Sequence, residues 1–217
     1  IYTGHLNETV WLIDWKNSEA NDFAIVVEVS IKGENKKRPD IVLYVNGIAL
    51  GVIELKRSSV SVSEGIRQNL DNQKKDFIRN FFTTMQLVMA GNDTQGLRYG
   101  TIETPEKYYL EWKEEIENGY SHKLDFHLSR VCNKARFLQI IHDFIVFDAG
   151  IKKTCRHNQF FGIEAAKRHI ARREGGIIWH TQGSGKSLTM VWLAKWVREN
   201  VKDARVLIVT DRTELDE

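Results

Sequence analysis

Asp40 and the triplet Glu54-Leu55-Lys56 are the residues of the first half of the chain best suited to chemistry. They form the pattern D-x13-E-x-K. Hard carboxylate oxygens suit a divalent cation such as Mg²⁺, so Asp40 and Glu54 are the expected metal ligands. A cation held there lowers the pKa of a bound water and neutralises charge in an in-line displacement at phosphorus. Lys56 would orient the attacking water or stabilise the developing charge. Gln68 lies a dozen residues beyond Lys56 and is within reach of the same centre, completing a catalytic set of Asp40, Glu54, Lys56 and Gln68. Its neighbours Arg67, Lys74, Lys75 and Arg79 offer a basic face for phosphate contact, or simply a solvated helix face. E-x-K alone is cheap, since Glu34-Asn35-Lys36 and Glu111-Trp112-Lys113 also fit it. What singles out Glu54 is its place at the end of an apolar strand, in a hairpin with Asp40. The competing reading is a surface ion pair at a strand end.

Thr181-Gln182-Gly183-Ser184-Gly185-Lys186-Ser187 is the second chemical signal. Gly183 and Gly185 allow backbone N–H groups to turn inward around phosphate oxygens, and a helix start adds partial positive charge at the same place. Lys186 would reach the β- and γ-phosphates of a nucleotide, and the Ser187 hydroxyl would coordinate Mg²⁺. His180 stands where the full pattern G-x-x-x-x-G-K-[ST] has Gly. Upstream, Gln159 in Arg156-His157-Asn158-Gln159 is a candidate reader of an adenine edge. These residues make ATP the expected nucleotide.

The elements that must position these groups can be read from periodicity. Residues 23–31, 40–45, 48–55, 84–90 and 97–102 predict strands, and residues 63 to about 82 predict a helix. Asn46-Gly47 is a hairpin signal. A plain two-residue turn pairs Val45 with Ile48 and sets Asp40 opposite Ile53, which sends Glu54 to the other face. Juxtaposing the two acids therefore requires a register shift of one, for instance through a three-residue loop Asn46-Gly47-Ile48 with a bulge. Residues 106–118 and 133–147 predict helices. The last third alternates as helix 159–173, strand 176–179, helix 186–200 and strand 204–210, the order of a parallel sheet. A boundary near residue 130 divides the chain into 1–130 and 131–217.

Composition narrows the class. The 217 residues are 42% hydrophobic and 28% charged, with a net charge of +2, which excludes global disorder and gives no whole-chain case for nucleic acid. Two cysteines, Cys132 and Cys155, make no disulfide framework and suit a reducing compartment. No apolar run is long enough for a membrane span, so no membrane partner is expected. The first residue is Ile rather than Met, which predicts further chain upstream.

Four segments together carry a family resemblance: Arg38-Pro39-Asp40 through Gly47, Gly51 through Lys56, Trp179 through Ser187, and Val209-Thr210-Asp211-Arg212-Thr213-Glu214-Leu215-Asp216. On these, nearly the whole chain resembles the restriction (R) subunit of type I restriction–modification enzymes. The resemblance implies an α/β chain with a PD-(D/E)xK-type endonuclease domain, a mixed sheet flanked by helices, over residues 1–130. Residues 131–217 would then be the incomplete start of a RecA-like P-loop motor domain. It implies an Mg²⁺-dependent endonuclease cleaving double-stranded DNA, inside an ATP-dependent, DNA-translocating complex with methyltransferase and specificity subunits in the cytoplasm. Asp40, Glu54 and Lys56 match the nuclease triad. Gln68 matches the Gln of Q-x-x-x-Y, although Asn72 holds the last position. Asp211-Arg212 and Leu215-Asp216 match a segment near the DNA path. No complete Asp-Glu-x-x motif follows the loop, so this chain alone is expected not to turn over ATP. The alternatives are a docking or scaffold module whose hairpin acids are structural, and a small P-loop NTPase.

Overall fold

The structure is a computed structural model and describes residues 9–116 and 119–209. The chain forms two compact units, residues 1–154 and 155–217.

The first unit is a mixed α/β layer structure. Its six strands are β1 (Phe23–Val27), β2 (Ile41–Val45), β3 (Ile48–Leu55), β4 (Leu87–Asn92), β5 (Gly96–Gly100) and β6 (Leu110–Glu111). They lie in sequence order across one sheet. Only β3 and β4 run parallel. A parallel pair needs a crossover, and α1 (Val62–Asn72) supplies it. Ser61 caps this helix, its Oγ accepting the Ser63 N–H, and Glu64 sits in the first turn. The helix stops at Asn72 instead of running on to residue 82. A short 3-10 segment, Arg79–Thr83, follows. A twenty-residue helix would be about 30 Å long and would overshoot the return to β4. Ile78, Phe82 and Met85 instead turn inward and pack with Val42, Val52 and Val88.

The opposite face carries α2 (Lys123–Val131) and α3 (Lys134–Asp143). Glycines in the sheet admit them. A Cβ on Gly91 would lie 2.5 Å from Leu124, and one on Gly51 would lie 3.2 Å from the Phe137 ring. The break expected near residue 130 falls inside α2, and the compact unit continues through α3 to Thr154.

Three further expectations are corrected in this unit. Residues 106–118 are not one helix: after a 3-10 turn at Glu106–Tyr108, Leu110–Glu111 pairs with β5, and Trp112 is fully buried beside Tyr99. The β-favouring run of aromatic residues completes the sheet instead of coiling. The helix expected over 133–147 ends at Asp143, because Ile145-Val146-Phe147 begins the hairpin of β7 (Ile145–Asp148) and β8 (Ile151–Thr154). Its turn residues Ala149 and Gly150 both have positive φ, as a two-residue hairpin turn requires. The strand read over residues 23–31 stops at Val27, and Glu28 follows at φ 54°.

In the second unit, α4 (His157–Ala171) and α5 (Lys186–Asn200) stand where helices are expected. Residues 176–179 and 204–209 form no strand. A strand exists only through the ladder it shares with a neighbour. These two segments have none among the described residues, and Trp179 and Leu207 are 89% and 87% exposed. Residue 210 and the Asp211-Arg212 and Leu215-Asp216 matches lie outside the described residues.

Candidate active site at the hairpin, and the glycine-rich loop

The hairpin solves the register problem by a different device from the one expected. Asn46 and Gly47 form a true two-residue turn, with φ of 49° and 78°, and Val45 pairs with Ile48. The shift comes later. Tyr44 pairs with Ala49 but Leu43 pairs with Gly51, leaving Leu50 as the extra residue of a bulge in β3. The bulged segment is held from outside the hairpin: the Leu50 carbonyl accepts the Gln86 N–H at 2.8 Å, and the Ala49 carbonyl accepts the Thr84 hydroxyl at 2.7 Å. Beyond the bulge Ile41 pairs with Ile53, so Asp40 and Glu54 come next on adjacent strands and share the face covered by α1.

Glu54 has no solvent exposure. Its carboxyl is pushed up to about 8, first by burial and next by the charge of Asp40, with Lys56 opposing. The Asp40 Oδ2 accepts the Leu55 N–H at 2.7 Å, which fixes this acid against the strand carrying Glu54. Gln68 bridges the remaining pair: its Nε2 donates to Glu54 Oε2 at 2.7 Å, and its Oε1 accepts from Lys56 Nζ at 2.5 Å. Asn72 Nδ2 donates to Glu54 Oε1 at 3.4 Å. All four residues expected from the sequence thus meet in one network, and Asn72 joins them.

Gly65 explains how a helix comes close enough. A Cβ there would lie 3.1 Å from the Ala90 Cβ and 3.4 Å from the Glu54 carbonyl oxygen. Without that Cβ, α1 settles on β3 and β4. Gln68 and Asn72, three and seven residues further along the same helix face, then stand over Glu54. The sequence signal for Asn72 was its spacing of four from Gln68.

The basic face is less free than its composition suggests. Arg67 pairs with Glu64 and Glu106, Lys74 with Asp71 and Arg79 with Glu103. Such exposed pairs contribute little to stability but offset the local charge.

In the second unit, Gly183 and Gly185 have φ of 73° and 85°, and Gly185 caps α5. Lys186 Nζ donates to the Thr181 carbonyl at 3.2 Å, and so does the Ser184 hydroxyl at 2.6 Å. Gln182 and Ser187 are exposed. Gln159 is 2% exposed. Its Oε1 accepts the Arg156 N–H at 2.8 Å, and its Nε2 donates to the Gly185 carbonyl at 2.8 Å. In this arrangement its amide braces the loop against the start of α4.

A mixed sheet carrying paired acids, an amine and a bridging amide, followed by a glycine-rich loop at a helix start, defines a two-part α/β chain. Residues 3–107 match the family described as type I restriction enzyme R protein N terminus. Residues 158–217 match the SWI2/SNF2 ATPase family. The chain is 29% identical to the type I restriction enzyme HindI endonuclease subunit of Haemophilus influenzae, across 96% of this chain and 22% of that protein. It is 28% identical to the MjaVIIIP endonuclease subunit of Methanocaldococcus jannaschii, across 98% and 22%. A similar subunit of Staphylococcus saprophyticus, SsaAORF53P, matches at 25%, across 94% and 22%. The chain is thus similar to type I restriction enzyme R subunits, and the model of their N terminus matches its residues 3–107. It spans about a fifth of the length of these relatives. Among the described residues no helix is long and apolar enough to cross a membrane.

Proposed function

We propose that the hairpin site is the Mg²⁺-dependent, PD-(D/E)xK-type endonuclease centre of a type I restriction enzyme subunit, acting on the phosphodiester bonds of double-stranded DNA. The observation that carries this reading is the bulge-enforced meeting of Asp40 and Glu54, with Lys56 tied to Glu54 through Gln68. The residues fit a divalent cation. Two carboxylates share one face, one of them wholly buried, and burial first and the neighbouring Asp40 second raise the pKa of Glu54. A third, positively charged partner relieves that conflict.

Each side chain then has a task. Asp40 is held by the Leu55 N–H and Glu54 by Gln68, so both present oxygens at fixed positions. A divalent cation held by these two carboxylates would supply a polarised water and charge neutralisation at phosphorus. Lys56 spends one N–H on Gln68. An ammonium has three donors, so others remain for a non-bridging phosphate oxygen.

The second unit extends the reading. The loop Thr181–Ser187 would receive nucleotide phosphates, with Lys186 released from the Thr181 carbonyl to the β- and γ-phosphates and Ser187 on Mg²⁺. In a longer subunit this would be the start of a RecA-like, ATP-driven motor translocating DNA, working with methyltransferase and specificity subunits.

The test pairs binding with cleavage. Calorimetry with Mn²⁺ should show one site on the chain, lost in Asp40→Ala. Mn²⁺- or Mg²⁺-dependent nicking of supercoiled DNA should be lost in Asp40→Ala and Lys56→Ala, with circular dichroism unchanged. Mn²⁺ binding and nicking that survive Asp40→Ala would refute the assignment, and so would their absence from the unsubstituted chain.

A further inference from the structure

Asn72 occupies the position where the nuclease pattern has a tyrosine, and its surroundings give it a role of its own. It is 1% exposed. Its only side-chain hydrogen bond among the described residues goes to Glu54 Oε1, at 3.4 Å, and its own Oδ1 is buried without a partner. The end it uses, Nδ2, is the one that faces the acid. Gln68 takes the other carboxylate oxygen, Oε2, at 2.7 Å. Two amides one helical turn apart therefore grip the two oxygens of one carboxylate, and rotation of that group about its terminal torsion is blocked.

We propose that Asn72 is a positioning residue for the metal site: it locks the plane of the Glu54 carboxylate so that its free lone pairs face Asp40, and thereby sets affinity for a divalent cation. The proposal rests on the nuclease reading of Asp40 and Glu54. An asparagine side chain performs this task from the last turn of α1 because Gly65 lets the helix lie close to β3. Partners that orient metal ligands commonly change metal affinity by about 10–100-fold when removed.

The experiment measures Mn²⁺ binding by calorimetry on the chain and on Asn72→Leu, which keeps the volume but removes the donor. Melting of the metal-free proteins is recorded alongside. Asn72→Ser, with a hydroxyl donor, serves as the second variant. The expected result is about tenfold or greater weakening of Mn²⁺ binding in Asn72→Leu, without a matching fall in its metal-free melting temperature, and smaller weakening in Asn72→Ser. If Asn72→Leu fails to fold, Asn72→Ser alone decides: it should bind Mn²⁺ more weakly than the unsubstituted chain. Unchanged affinity in a folded variant, with binding still lost in Asp40→Ala, would overturn the role of Asn72 while leaving the nuclease reading intact. Absence of Mn²⁺ binding to the unsubstituted chain would overturn both.

Discussion

His127 carries a cost that the site residues do not explain. It is 1% exposed, and its Nδ1 accepts the Leu97 N–H at 3.1 Å. Burial, aided by the charge of Lys123, pushes its imidazole down to about 4. The neutral ring is therefore part of the fold, satisfying a backbone donor of β5 that would otherwise be orphaned. The sign follows from proton linkage. The unfolded chain takes up a proton near 6.5 and the folded chain only near 4, so stability is fully present above about pH 6.5 and is lost as pH falls through that window, up to about 3 kcal/mol at its foot. His127→Gln keeps an acceptor without a titrating nitrogen. Urea melts between pH 7 and pH 4 should show a shallower loss for this variant than for the unsubstituted chain, and parallel curves would refute the assignment.

The geometry of the site is a property of the elements as much as of the acids. The pairs Tyr44–Ala49 and Leu43–Gly51 differ by one skipped residue, and that skip alone puts Glu54 on the face of Asp40. The need for a shift was legible in the sequence, because spacing and turn type disagreed. Its location was not, because the bulge is fixed by Gln86 and Thr84, more than thirty residues away in sequence. The same non-local logic explains the helix expected at 106–118. Its aromatic residues could serve either a helix or a sheet edge, and only the presence of β5 decides. Glu54, Lys56 and Gln68 were legible because strand and helix periods relate them directly. Gly65 was not, since a helical glycine reads as a defect until the strand beneath it is known. Gly65→Val tests this contact. The new side chain meets Ala90 and the Glu54 backbone, so α1 must lift. Overpacking of this kind costs about 1–3 kcal/mol. Lifting α1 also withdraws Gln68 and Asn72 from Glu54, so Mn²⁺ affinity should fall along with the melting temperature. A variant with reduced stability and unchanged Mn²⁺ affinity would show that the close approach does not matter to the site.

The division of the chain after Thr154 places α3 and the β7–β8 hairpin with the six-stranded sheet, and the contacts account for it. Phe137 packs on Gly51, and Phe137, Leu138 and Ile140 are buried. Lys152, pushed down to about 8 by burial, donates to the Met85 carbonyl at 3.1 Å and to Gln86 Oε1 at 2.6 Å, and its carbonyl accepts the Thr101 hydroxyl at 2.6 Å. Gln86 also holds the bulge through its N–H, so the hairpin that carries Lys152 is one residue removed from the register of Asp40 and Glu54. A cut at residue 130 would sever this support. It would uncover Gly51, on which Phe137 of α3 packs, and would leave Gln86 without its lysine. A cut after Thr154 would leave every one of these contacts in place. Residues 1–154 should therefore melt cooperatively and bind Mn²⁺ with an affinity close to that of the whole chain. Residues 1–130 should show no cooperative transition, since removal of several buried side chains at about 2–5 kcal/mol each exceeds the stability of an ordinary domain. Heat melts and Mn²⁺ titrations of the two truncations decide the matter: a stable, Mn²⁺-binding 1–130 would show that α3 and the hairpin are ornaments of the sheet, not part of its core.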